Sequence, residues 1–238
     1  NIGLSHARGK WIIFADADDF FTANCFTILN EYMDSPHKVI YFNVRFVMSD
    51  DPSQESRRGT YYTNFFNDVN PENKLRYQSQ VPWGKMIRRS FLSTFHIQFD
   101  ETRIANDVYF SCLVGIYAPK VTTDRRIIYY CTESDQSLAM SKQDRESLII
   151  RFNASMKCNR LLRQEKIHYY LSPLPWCIPS AKTKEWLPAK YFFEYLFFFR
   201  LQAFKELYYA FSAILSHMNE PATKETDKCN KKTTNLKE

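Results

Sequence analysis

Three carboxylates within four residues, Asp16, Asp18 and Asp19, stand directly after the apolar run Trp11 to Ala15. Like charges this close repel one another, and a cation relieves them; alternation along an extended chain sends Asp16 and Asp18 to the same side. Mg²⁺ or Mn²⁺ suits such a turn, because magnesium is commonly held by one or two carboxylates together with substrate phosphates. The plain alternative is a solvated acidic turn capping the next helix. Two other acidic motifs are excluded by spacing. An EF-hand loop begun at Asp16 needs Gly at its sixth position and Glu at its twelfth, where Phe21 and Thr27 stand, and a phosphatase-like pattern needs Thr or Val where Phe20 stands. A fourth carboxylate, Asp107, falls at the expected start of a helix, where an acid interacts with the dipole for about 0.3–1 kcal/mol whatever else it does.

The elements that position these groups follow from the hydrophobic pattern. Trp11 to Ala15 and Val39 to Val47 are continuous apolar runs, the pattern of strands covered on both faces in a parallel sheet, and residues 26 to 33 between them fit a short helix. Ligands bind outside the carboxyl ends of strands in open α/β sheets, which is where the acidic cluster lies. Phe110, Leu113, Val114 and Tyr117 recur at helical spacing after Asn106, and Arg126 to Cys131 reads as a further strand. Ser141 with Asp144 three residues on resembles a capping box, opening a helix that runs towards Tyr170. Three prolines in 172 to 180 break the chain. Lys190 to Ser216 then predicts one amphipathic helix with a wide aromatic sector, and the Lys-rich tail from Asn219 reads as disordered.

With 45% hydrophobic residues in 238 positions, the chain can bury a real core. The aromatic content shifts towards the last third, which suggests a boundary. A formal net charge of +6 favours anionic partners without choosing among them. The Lys-rich tail lacks interleaved aromatics and matches no reading module, which argues against nucleic acid. The six cysteines have no CxxC pair and read as free thiols in a reducing cytosol. His6, His37, His96, His168 and His217 show no ligand spacing. Asn153-Ala154-Ser155 is formally a glycosylation sequon, read as chance, and Arg88-Arg89 and Arg125-Arg126 read as solvated faces more readily than as phosphate sites. No run of 18 apolar residues occurs.

The opening stretch, NIGLSHARGKWIIFADADD, closely resembles the "rNxGxxxAxGxyixflDxDD" segment of family 2 glycosyltransferases, matching Asn1, Gly3, Ala7, Gly9, the aromatic Trp11 and the acidic cluster. Trp83-Gly84-Lys85 resembles the family's WxK element, Phe99-Asp100-Glu101 its "F.e" approach, and Asn106-Asp107-Val108-Tyr109-Phe110 its "EDxxF" motif, in the expected order. Tyr129-Tyr130 and residues 137 to 141 look like its closing region. The resemblance covers roughly residues 1 to 141.

It implies an α/β chain of GT-A type, with a Rossmann-like mixed sheet incomplete at its N-terminus and a helical C-terminal extension. The corresponding division is a catalytic part over 1–141, a helical extension over 142–218 and a polar tail over 219–238. The implied activity is inverting transfer of a sugar from a nucleoside-diphosphate sugar to a hydroxyl of a glycan or lipid-linked acceptor, in polysaccharide or glycolipid biosynthesis. By resemblance, Asp16 contacts the ribose or uracil side of the donor, Asp18 holds Mn²⁺ or Mg²⁺ at the diphosphate, and Asp19 supports the turn. Asp107 is the general base, Lys85 faces the donor, and Trp83 and Asn106 lie on the acceptor side. Asn106 replaces the family's Glu, which keeps hydrogen bonding and loses a charge. The strands that precede the opening segment in the family are not in this sequence, so the fragment is expected to be inactive alone. The expected location is cytoplasmic, peripheral at the inner face of the cell membrane. An inactive transferase scaffold serving as a membrane- or partner-binding module is the alternative.

Overall fold

The computed structural model describes residues 1–56, 59–133, 144–177, 187–200 and 203–208. It forms two compact units, Asn1–Leu187 and Pro188–Glu238. The first unit opens with α1 (Ile2–His6), β1 (Trp11–Ile13), β2 (Phe20–Phe21), α2 (Cys25–Asn30) and β3 (Val39–Met48). It continues through α3 (Gly59–Phe66), α4 (Pro71–Gln78), β4 (Lys85–Arg88), α5 (Arg89–Thr94) and α6 (Asn106–Tyr117). It closes with β5 (Val121–Glu133), α7 (Arg145–Gln164) and the short α8 (Leu174–Cys177), and the second unit holds α9 (Ala189–Phe199).

The five strands form one mixed sheet in the order β1-β4-β3-β5-β2. β3 is its centre, as its unbroken apolar run requires: Val39 through Phe42 are all buried, and the strand pairs parallel with β5 and antiparallel with β4. β1 pairs antiparallel with β4, so β1, β3 and β5 all point the same way. The six residues 14–19 therefore carry the chain from β1 at one edge to β2 at the other, and β2 pairs with Tyr129 and Tyr130 of β5. The acidic cluster rides on that crossing.

Three expectations are corrected. Trp11 to Ala15 is not an interior parallel strand: β1 covers only Trp11–Ile13 and lies at a sheet edge, with Ile12 buried and its neighbours half-buried. An apolar run reports how the faces are covered, not whether a backbone edge is paired. Here one face is closed by a cation, since Arg88 stacks 4.1 Å above the Trp11 ring. Second, α7 is capped by Asp144 itself, whose side chain accepts from the Ser147 amide at 2.8 Å; Ser141 lies outside the described residues. Third, α9 stops at Arg200, which adopts a left-handed φ of 48°, and residues 203–208 are helical again, so 190 to 216 is not one continuous helix. Residues 137 to 141 and the tail from Asn219 also lie outside the described residues.

Polar pairs the sequence left open are structural. Arg126 clamps Glu31 at 2.7 and 2.8 Å and also holds Asp124. All five described cysteines are buried thiols. Ala154 and Ser155 of the formal sequon are buried in α7.

Two glycines are required by close approach. Gly84 has φ +66°, and a Cβ there would lie 2.9 Å from the Val44 side chain, so the turn that delivers Lys85 into β4 admits no larger residue. At Gly115 of α6 a Cβ would stand 1.8 Å from the Arg76 carbonyl oxygen of α4. Arg76 in turn donates to the carbonyls of Gly115 at 2.9 Å and Ala118 at 2.8 Å, closing the end of α6.

Candidate active site

The acidic turn is held by β5. Tyr129 donates its hydroxyl to Asp19 Oδ2 at 2.8 Å and accepts the Asp16 amide at 2.7 Å. The Thr132 amide donates to Asp19 Oδ1 at 2.7 Å, and the Thr132 hydroxyl donates to the Asp18 carbonyl at 2.9 Å. The carboxylate of Asp19 is thus spent on structure, while Asp16 and Asp18 are exposed at the rim. Partial loss of hydration raises the Asp16 pKa above its ordinary value, and the charges of Asp19, Asp18 and Asp107 push it further the same way.

That last contribution locates the fourth carboxylate near the first three. Asp107 sits in the opening turn of α6, just after Ala105, which takes a left-handed φ of 53° ahead of the helix. Aromatic packing ties this helix to the acidic turn. Phe14, two residues before Asp16, meets Phe110 of α6 edge-on at 5.3 Å and Phe99 at 5.1 Å, and Phe99 and Phe110 stack at 4.0 Å. Asn1 fixes Phe99 in both directions, donating to its carbonyl at 3.0 Å and accepting its amide at 2.9 Å.

Burial raises the Asp107 pKa above the ordinary carboxylate range; the helix amides, Lys85 and Arg151 oppose that shift. Lys85 opens β4 and is only 1% exposed, so it is no surface charge. Its ammonium donates to the carbonyls of Ser79, at 3.2 Å, and Val81, and lies 5.6 Å from the Tyr41 ring centroid. Burial lowers its pKa to about 7, with Asp107 acting in the opposite sense. Trp83 is buried between Tyr62, Phe46 and Tyr129, stacked on the last at 6.3 Å, which places it behind the tyrosine that holds Asp19. Asn106 is exposed beside Asp107.

The structure therefore gathers Asp16, Asp18, Asp19 and Asp107 at the carboxyl end of the parallel strands, with Lys85 behind them. Sequence reasoning missed the anchoring roles of Phe14, Tyr129 and Thr132. Tyr129 and Thr132 are distant in sequence from what they hold, so only the β2–β5 pairing reveals them. Among the described residues, no group of three or more His, Cys, Asp or Glu side chains could by itself hold a metal ion. A divalent cation fits here only as one shared with a ligand: Asp16 and Asp18 are free at the rim, and their crowded charge is what a cation would relieve.

The mixed sheet with its covering helices is a GT-A-type fold, and the carboxylates gather at the carboxyl end of its parallel strands. Residues 1–95 match the model of glycosyl transferase family 2. That match includes the acidic turn and Lys85 and ends before Asp107. Among solved structures, S. aureus TarS 1-349 in complex with UDP-GlcNAc is similar over 74% of this chain and 48% of that one, with 17% identity and a TM-score of 0.51. The same protein in complex with UDP has 17% identity and a TM-score of 0.48 over 74% of this chain and 46% of that one. The chain spans about half the length of these structures. No curated protein matches it in sequence.

Proposed function

We propose that the chain is part of an inverting, metal-dependent transferase that moves a sugar from a nucleoside-diphosphate donor to a hydroxyl of a glycan or lipid-linked acceptor. The observation that carries this reading is the packing of Phe14 on Phe110 at 5.3 Å, which brings the half-buried Asp107 carboxylate to the turn that would face a diphosphate. The donor class is supported by the UDP-GlcNAc bound to the similar S. aureus TarS.

Asp107 accepts the proton of the acceptor hydroxyl as that oxygen attacks the anomeric carbon. The bond from that carbon to the diphosphate breaks on the opposite face, which inverts the configuration. Asp18 would hold the divalent cation, which when bound supplies charge neutralisation for the departing diphosphate. Asp16 orients the nucleoside side of the donor, and Asp19 keeps the turn rigid through Tyr129 and Thr132. Lys85 acts on the site through its charge, and Trp83 and Asn106 shape the acceptor side.

The test is Asp107→Asn in the full-length enzyme, assayed with UDP-GlcNAc, with the anomeric configuration of the product read by NMR. Normal transfer by the variant, or retained configuration, would overturn the assignment.

A second reading, a transferase scaffold that serves to bind a membrane surface or partner, is favoured by the second unit. Phe193 and Phe197 of α9 are 66% and 79% exposed, and Phe204 and Tyr208 are exposed beyond it. Among the described residues no helix is long and apolar enough to cross a membrane; an exposed aromatic face of this kind suits interfacial attachment. The two readings combine if the acceptor is lipid-linked.

A further inference from the structure

Residues 100–106 form a loop that is exposed at Glu101, Thr102 and Arg103 and whose ends meet, the Asp100 amide donating to the Asn106 carbonyl at 3.2 Å. Asp107 is the next residue, so the seat of this loop sets where that carboxylate begins. The loop is tied to α7, which lies outside the segment matched to family 2. Lys157 of α7 donates to both carboxylate oxygens of Asp100, at 2.8 and 2.9 Å, and its ammonium stands 3.6 Å from the centroid of the Tyr109 ring near the start of α6. Arg103 adds a second tie, donating to Asp144 Oδ1 at 2.7 Å and to Ser147 Oγ at 3.0 Å.

Lys157 thus grips both flanks of Asp107, Asp100 on the loop side and Tyr109 on the helix side. Residues two apart on a helix project about 200° from one another, so the grip falls on the side of α6 away from the Asp107 carboxylate. A cation at a helix N-terminus is disfavoured by the dipole, and here the Asp100 carboxylate holds it in place. The next residue, Cys158, is buried with its Sγ 3.7 Å from the Val108 carbonyl oxygen, which fixes α7 against this end of α6. The Lys157 and Asp100 side chains are 44% and 27% exposed, and an ion pair in that setting adds little to stability. Two hydrogen bonds and a ring contact on one ammonium fix a geometry instead.

We propose that Lys157 is a positioning residue of the transfer site: by holding Asp100 and the Tyr109 ring at once, it seats the loop against the start of α6 and sets the direction in which Asp107 meets the acceptor hydroxyl. It acts through the backbone of residues 100–106 and touches no reacting group. α7 is then a working part of the site and not only a covering helix. The proposal rests on the reading of Asp107 as the base, but the strap itself can be measured without turnover.

The experiment compares Lys157→Met and Lys157→Arg in the full-length enzyme, by transfer kinetics with UDP-GlcNAc, calorimetry with UDP, thermal unfolding and amide hydrogen exchange. Lys157→Met keeps the length of the side chain and removes its charge. Its kcat should fall about 10- to 100-fold, the effect of a displaced reacting group, with UDP affinity and acceptor KM unchanged. Its Tm should stay close to that of the parent, and the Asp100 amide should exchange faster while the later amides of α6 do not. Lys157→Arg, whose guanidinium can span the carboxylate and stack on the ring, should recover most of the lost rate. An unchanged kcat in folded Lys157→Met overturns the proposal. So does a fall in kcat that comes with lost UDP affinity or faster exchange along all of α6, which would make Lys157 a structural tie, and so does a raised acceptor KM with kcat intact. If Lys157→Met does not fold, Asp100→Asn takes its place; the same loss of kcat is expected, and a normal kcat overturns the proposal. An unchanged kcat in Lys157→Met beside an impaired Asp107→Asn sinks this proposal alone, whereas normal transfer by Asp107→Asn removes the base reading beneath it, so the two failures are distinguishable.

Discussion

Asp19 and Asp107 end at the same edge of the same sheet and are held in opposite ways. Asp19 takes short hydrogen bonds from the Tyr129 hydroxyl and the Thr132 amide, and it fixes a loop. Asp107 is half-buried, faces Lys85 and Arg151 at longer range, and has a pKa raised by burial. A carboxylate held by short side-chain and strand hydrogen bonds is stable and unavailable; one that is partly stripped of water and held by helix-start amides alone is costlier and more reactive. The contrast separates scaffold from chemistry more sharply than their shared residue type would allow.

The comparison breaks most easily at the rim between them. Asp18→Ala in the full-length enzyme is expected to abolish Mn²⁺-dependent donor binding, because a single carboxylate completes a shell otherwise made of phosphate and water. Calorimetry with UDP, with and without metal, measures it; unchanged affinity in the presence of metal would return the turn to a solvated cap. Next in size, Asp107→Asn should lower the transfer rate by about 10² to 10⁴ with donor affinity nearly unchanged. Asp19→Asn should do the reverse, weakening donor binding through a loosened turn while sparing the proton-transfer limb of the pH profile.

How much of this was legible beforehand follows from the same pair. The acidic turn was readable because its chemistry is local: three acids after an apolar run are visible in four residues, and the family resemblance names them. Asp107 was readable through motif order, although position alone made it a helix-start acid. What holds them was not readable. Tyr129 and Thr132 are more than a hundred residues from Asp19, and the edge position of β1 depends on pairing that side-chain polarity does not encode. The helix break at Arg200 was hidden as well, because an aromatic stripe continues across it.

Smaller effects test the anchors. Phe110→Ala should cost about 3–5 kcal/mol of stability, the usual range for a buried phenylalanine, measured by denaturant unfolding, and should loosen Phe14 and with it the acidic turn. Tyr129→Phe should cost about 1–3 kcal/mol, since it leaves Asp19 one partner short, and should weaken donor binding more than it slows transfer.

Lys85 offers a pH test. Its folded pKa, about 7, lies below its ordinary value, so between these values the unfolded chain binds more protons and folding is favoured as pH rises. Wild type should therefore gain stability relative to Lys85→Met from pH 7 to pH 8.5. A difference that stays flat across that window would mean that the buried ammonium keeps its proton.

The least of the expected effects concerns the second unit. Removing residues 189 to 238 should release the chain from anionic liposomes, and high salt should weaken attachment of the parent. Equal sedimentation with and without the segment would make the exposed phenylalanines of α9 a packing or partner surface.

Gly115 has a consequence beyond stability. Its backbone rests directly on the Arg76 carbonyl, and it lies eight residues, about 12 Å, along α6 from Asp107. A methyl group there fits only if α6 shifts against α4, so the smallest substitution at the far end would act as a setscrew on the reach of Asp107. In a saturation library screened for altered acceptor choice, position 115 would behave as part of the active site's ruler although it touches nothing that reacts. Because the clash is with the backbone of α4, trimming α4 side chains should not rescue it.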